Sequence, residues 1–136
     1  MIDDGSPDGT AAIVKRLQPD FPERLHLMER AGKQGLGTAY IAGFRWSIEH
    51  AYEYVFEMDA DFSHNPDDLV RLYEAAVGEQ AGVVIGSRYV TGVNVVNWPM
   101  RRILMSYFAS YYVRMVTRMK VRDATAGFVC YSRQVL

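Results

Sequence analysis

Asp59-Ala60-Asp61 stands directly after the apolar run Tyr54-Val55-Phe56-Glu57-Met58. Two carboxylates one residue apart at the end of a strand can aim at a single divalent cation. A hard cation with oxygen ligands is what a bound diphosphate needs, so the pattern points to metal-assisted chemistry on a phosphorylated substrate. Paired acids also occur in ordinary surface turns, and the pair alone leaves both readings open.

Other residues carry chemistry at a distance from this pair. Arg88 follows the apolar stretch Gly82 to Gly86, and a guanidinium meets phosphate oxygens through two hydrogen bonds at once; the plainer reading is a salt bridge to a neighbouring helix. Asp3 and Asp4 precede Gly5 and read locally as turn residues. The glycines between Gly32 and Gly37 suit a tight turn with Lys33 as a counter-charge, although nothing there fits a Walker P-loop. Arg101, Arg102, Arg114, Arg118, Lys120 and Arg122 occupy residues 101–122 with no acid among them, interleaved with Tyr107, Phe108, Tyr111 and Tyr112. That mixture suits a helix lying in a membrane interface and equally suits an amphipathic helix packed on a sheet.

Short apolar runs at Leu25 to Met28, Tyr54 to Met58 and Gly82 to Gly86 are strand signals. Leu36, Tyr40, Phe44 and Ile48 recur every four residues and predict a helix from about Gly35 to Tyr52. Ser6-Pro7-Asp8-Gly9 starts an earlier helix carrying Ala12, Ile13 and Leu17. In Asn65-Pro66-Asp67-Asp68, Asn65 is a cap, Pro66 suits the first helical position and the acids complement the helix dipole; Leu69, Leu72, Tyr73 and Ala76 then share a side. Strands alternating with helices predict an α/β domain with a mostly parallel sheet. Such sheets bind ligands beyond the carboxyl ends of their strands, here the loops from Asp3 to Asp8, Arg30 to Gly35, Asp59 to Asn65 and Ser87 to Asn97. Met1-Ile2 is too short to be a strand of its own, so the chain reads as a fragment incomplete at both ends.

Composition bounds the rest. The 136 residues, 49% hydrophobic and 12% aromatic, fit one domain with a core. A net charge of -1 argues against a general nucleic-acid binder, because no excess positive field is available to neutralise a phosphate backbone. Cys130 is the only cysteine, which excludes an intrachain disulfide and is compatible with a reducing cytoplasm. No signal peptide is visible, and the apolar stretch from Ile103 to Val113 falls short of the roughly 20 residues needed to cross a bilayer.

Five motifs, taken in order, resemble the family-two glycosyltransferases, and in particular the dolichyl-phosphate (polyprenol-phosphate) mannosyltransferases. They are Ile2 to Thr10, Gly32 to Ala39, Asp59 to His64, Gly86 to Tyr89 and Asp123 to Phe128. The resemblance implies a GT-A nucleotide-sugar-binding fold, with residues 1–136 a single partial catalytic domain. It also implies a divalent metal, Mg²⁺ or Mn²⁺, held by Asp59 and Asp61 against the donor diphosphate. The reaction it implies is metal-dependent, inverting transfer of mannose from GDP-mannose to a polyprenyl phosphate. Glucose from UDP-glucose and a truncated non-catalytic module are the alternatives.

Under this resemblance Asp4 contacts the nucleotide, with Ile2 beside it where backbone groups reach base or ribose. Lys33 and the glycine loop approach the donor, and Ala60 is small enough to let backbone near the nucleotide. Arg88 joins Asp59 and Asp61 in the catalytic set and, with Arg101 and Arg102, meets the acceptor phosphate. Ser63 stands where some relatives carry a longer amide, and His64 reads as a structural loop residue because imidazole is not a preferred partner of Mg²⁺. Asp123 caps or orients its loop, where Ala126 departs from the serine usual beside the glycine. The acceptor phosphate is already ionised near neutral pH and needs positioning more than a base. The protein is expected in the cytoplasm, peripheral at the membrane face, with self-association favoured by exposed sheet edges.

Overall fold

The computed structural model describes residues 1–87, 99–119, 121 and 123–136, and of Arg102 and Ile103 the backbone alone. It divides into two compact units, residues 1–50 and 51–136.

In the first unit, β1 (Ile2–Asp3) pairs in parallel with β2 (Met28–Glu29), Ile2 opposite Met28 and Asp3 opposite Glu29. Met28 N–H donates to the Met1 carbonyl at 2.8 Å and Arg30 N–H to the Asp3 carbonyl at 2.9 Å. A two-residue strand does form, at Ile2–Asp3 rather than Met1-Ile2, because β2 supplies the partner. That partner also starts later than the apolar run at Leu25 to Met28 suggests. Helix α1 (Thr10–Leu17) follows Gly9 at φ 83, the left-handed conformation that glycine adopts without steric cost. Helix α2 (Leu36–Glu49) lies close against β1: a Cβ at Gly43 would stand 3.1 Å from Ile2 Cδ1. Its predicted extension to Tyr52 ends at His50, and Ala51 at φ 59 turns the chain away.

In the second unit, β3 (Tyr54–Glu57), α3 (Asp68–Gly78) and β4 (Val83–Ile85) follow the predicted strand–helix–strand order. Asn65 heads the turn before α3, its Oδ1 accepting Asp67 N–H at 3.2 Å, and the helix starts at Asp68 rather than at Pro66. Helix α4 (Met100–Thr117) comes next, and β5 (Val129–Ser132) closes the unit.

The expected mostly parallel arrangement is realised in only part of the molecule. β5 lies between β3 and β4 and runs antiparallel to both. β3 and β4, joined through α3, thus point the same way without touching as neighbours. Leu72 and Ala76 of α3 form the core with Phe128 and Cys130, and Tyr54, Phe56, Leu69 and Val84 pack around them. The register aligns Glu57 and Ile85 with Val129, so the carboxyl ends of β3 and β4 meet the amino end of β5 at one edge of the sheet.

Candidate active site

That edge collects the acid pair. Asp59 lies two residues beyond β3, its side chain half exposed, and the antiparallel entry of β5 brings Gly127 alongside it. A Cβ at residue 127 would stand 3.1 Å from Asp59 Oδ2, so glycine leaves the room in which the carboxylate rests. Gly86 makes the matching approach on the other side of β5. Its N–H donates to the Phe128 carbonyl at 2.8 Å, and a Cβ there would meet Phe128 Cδ1 at 2.6 Å. His64, its side chain only 10% exposed, stacks on Phe128 with ring centroids 5.1 Å apart and lies 3.9 Å from Asp59 Oδ2. Its ring is engaged in the wall of the loop.

Asp61 is held by a local turn. Ser63 N–H donates to its Oδ1 at 3.0 Å, and the Ser63 hydroxyl, with that amide, keeps the Asp61 carboxyl below the usual carboxylate range. Ser63 thus serves the neighbouring acid. Phe62 between them sits at φ 61, 91% exposed, a left-handed conformation that is unfavourable for a bulky residue and that clusters at functional sites. Glu57 at the end of β3 is shifted the other way: burial raises its pKa, with a smaller push from the Asp59 charge, against a hydrogen bond from Tyr131.

The donor set suits a hard divalent cation. Among the described residues no group of three or more His, Cys, Asp and Glu could cage a metal by itself. Mg²⁺ characteristically binds one or two carboxylates and completes its shell with water and substrate phosphates, which is what two loop acids at a strand end offer.

In the first unit the loops after β1 and β2 meet around Asp4. Arg30 engages it through both Nε and Nη2, a bidentate pair in which the Arg30 side chain is 10% and the Asp4 side chain 25% exposed. The guanidinium hydrogen bonds, aided by Gln34 N–H, hold the Asp4 carboxyl below its ordinary range, and Asp4 raises Arg30 in return. Arg30 Nη1 also donates to Thr38 Oγ1 at 2.8 Å, and Thr38 caps back to the Gly35 carbonyl at 2.7 Å. Asp4 is thereby joined to the glycine loop through Arg30, a residue to which the motifs give no role. The available signal was a basic residue just beyond a short strand that parallels one ending in acids. Asp3 is 4% exposed and does turn work: its Oδ2 accepts Gly5 and Ser6 N–H at 3.0 and 3.1 Å.

Ile2 spends its side chain on α2, leaving its backbone as the group beside Asp4. Lys33 is exposed in the loop before α2, and Ala60 is exposed between the two acids. Arg101 and Arg102 lie in the first turn of α4, with Arg101 exposed. Arg88, Lys120, Arg122 and the side chain of Arg102 lie outside the described residues.

The chain matches the glycosyl transferase family 2 over residues 1–136. A polyprenol monophosphomannose synthase of Mycolicibacterium smegmatis is 48% identical over 136 residues, which is 100% of this chain and 51% of that protein. An undecaprenyl-phosphate mannosyltransferase of Micrococcus luteus is 44% identical over 136 residues, again 100% of this chain and 55% of that protein. The chain spans about half the length of the curated relatives it matches. With its five motifs in order and the match running from Met1 to Leu136, the chain belongs to the glycosyl transferase family 2.

Proposed function

We propose that the protein transfers mannose from GDP-mannose to a polyprenyl phosphate. The observation that carries this reading is the acid pair at the carboxyl end of β3. It sits in a chain that aligns throughout with two relatives named for polyprenol-linked mannose transfer. The 136 residues are read as a single partial catalytic domain of GT-A type, in keeping with the alternating strands and helices.

The acceptor phosphate oxygen attacks the anomeric carbon, the bond to GDP breaks, and configuration inverts. Asp59 and Asp61 would hold Mg²⁺ or Mn²⁺, which supplies positive charge to the departing diphosphate. Asp4, fixed by Arg30, orients the nucleotide, with Ile2, Lys33 and Ala60 around the donor. Arg88, Arg101 and Arg102 position the acceptor phosphate. Two arginines in the first turn of α4, with no acid there, oppose the helix dipole, a local conflict that a bound anion relieves.

Membrane contact through α4 belongs to the same reading. Among the described residues no helix is long and apolar enough to cross a membrane. α4 nevertheless exposes Met105, Tyr107, Phe108, Tyr111, Tyr112 and Met115, and carries Arg114 in its last turn. Aromatic and apolar side chains beside basic ones suit a helix at the headgroup boundary.

The test is transfer of labelled mannose from GDP-mannose to a polyprenyl phosphate by the full-length protein with Mg²⁺ or Mn²⁺, with UDP-glucose assayed in parallel. Mannose transfer that is lost in Asp61→Ala supports the reading. Transfer of glucose instead, or activity retained in the variant, overturns the donor or the metal assignment respectively.

A further inference from the structure

The segment 123–128 touches both α4 and the acid loop. Asp123 is 1% exposed, and its Oδ1 accepts the Thr125 N–H and the Thr125 hydroxyl, each at 3.3 Å. Thr125 Oγ1 also lies 3.1 Å from Ser106 Oγ on α4. A carboxylate only accepts, so Thr125 donates to Asp123 and its oxygen is left to accept from Ser106. Two residues on, Gly127 backs the Asp59 carboxylate, and Phe128 stacks on the His64 ring that faces the same oxygen.

The opposite end of this linkage is α4, which buries little among its described side chains. Among the described side chains of α4, Ser110 alone is buried, at 2% exposed, and it lies one turn beyond Ser106. Among its described side chains, α4 thus meets its unit through Ser106 and Ser110, while Leu104, Met105, Tyr107, Phe108, Tyr111 and Tyr112 are exposed. An element with few buried apolar contacts shifts at lower free energy than one packed into a core.

We propose that Thr125 is a positioning residue that couples the seating of α4 to the Asp59 carboxylate. Its hydroxyl ties α4 to the segment whose Gly127 forms the wall behind Asp59. The affinity of the acid pair for a divalent cation therefore depends on whether α4 is in place. This inference rests on the reading of Asp59 and Asp61 as the metal acids.

The experiment is a Mn²⁺ titration at saturating GDP on the full-length protein and on Thr125→Val, Thr125→Ser and Ser106→Ala, with thermal melting of each. Thr125→Val keeps the side-chain shape and should weaken Mn²⁺ binding about fivefold, the effect of one net hydrogen bond. Thr125→Ser restores the hydroxyl and should return to within about twofold of the unaltered protein on the same scale. Ser106→Ala breaks the link from the helix side and should weaken binding as Thr125→Val does, with the double variant no worse. Ser106→Ala also decides the matter should Thr125→Val fold poorly. A folded Thr125→Val with undiminished affinity overturns the coupling alone, as does an unaffected Ser106→Ala. Failure of the unaltered protein to take up Mn²⁺ with GDP overturns the metal reading and the coupling with it.

Discussion

The acids that end β1 and the acids that follow β3 occupy the same kind of place, the carboxyl end of a strand, yet the chain treats them in opposite ways. Asp4 is gripped by a guanidinium from its own unit through both carboxylate oxygens. Asp59 is half exposed with an imidazole 3.9 Å away, and Asp61 is held by a serine amide and hydroxyl. Among the described residues neither Asp59 nor Asp61 has a lysine or arginine ion-pair partner. A carboxylate neutralised from within is fixed in direction and suited to orienting a ligand. A carboxylate pair that, among the described residues, meets neutral donors and a histidine keeps its charge for a cation from outside. Under the proposed function, the contrast separates a positioning acid from a metal-holding acid by the company each keeps.

The largest effect that would break the contrast is in catalysis. Asp59→Ala should lower the rate of mannose transfer by about a thousandfold, the scale of losing charge stabilisation at a leaving group. Asp59 is half exposed, so melting should barely change. A similar loss on Arg30→Lys would erase the distinction between the two regions.

Arg30→Lys should instead raise the KM for the donor about tenfold and leave kcat nearly unchanged, because an ammonium cannot reproduce the two-point grip on Asp4. Steady-state kinetics with GDP-mannose varied separates the two outcomes. Gly86→Ala sharpens the comparison from the packing side: with a backbone carbonyl and the Phe128 ring both inside the space of the new methyl, it should cost about 2 kcal/mol in chemical denaturation. The Asp59 wall leans on that packing, whereas Asp4 does not.

The smallest effect concerns pH. Asp4 is held below its ordinary value of 3.8, chiefly by the Arg30 hydrogen bonds. A depressed acid contributes its stability in full above the ordinary value and loses it as pH falls through the folded one. Melting temperatures followed from about pH 5 downward should therefore fall less steeply in Arg30→Met than in the unaltered protein. Asp3, Asp8 and Asp61 are depressed too, each by a neighbouring serine or threonine, so part of the slope should persist in the variant.

The acid pair was legible in the sequence because an apolar run ending in charge marks the end of a strand, and β3 stops at Glu57, two residues before Asp59. α1, α2 and α3 followed from glycine, proline and four-residue periodicity, signals that act within one turn of chain. What escaped depends on partners far along the chain. β5 is four residues long and buried over its first half, at Val129 and Cys130, with none of the alternation that marks a half-exposed strand, so neither it nor the antiparallel sheet was expected. Arg30 reaches Asp4 across 26 positions. Gly127 and Gly86 show their reason only once β5 has entered between its neighbours, where each yields space to a side chain from another part of the unit.

The measurement that tests the central claim most directly is Mn²⁺ binding in the presence of GDP, compared between the unaltered protein, Asp61→Asn and Arg30→Lys. Asp61→Asn keeps the shape of the side chain and removes its charge; it should abolish measurable Mn²⁺ uptake, while Arg30→Lys retains the Mn²⁺ site. Undiminished Mn²⁺ binding by Asp61→Asn would contradict the assignment of the metal to the acids beyond β3.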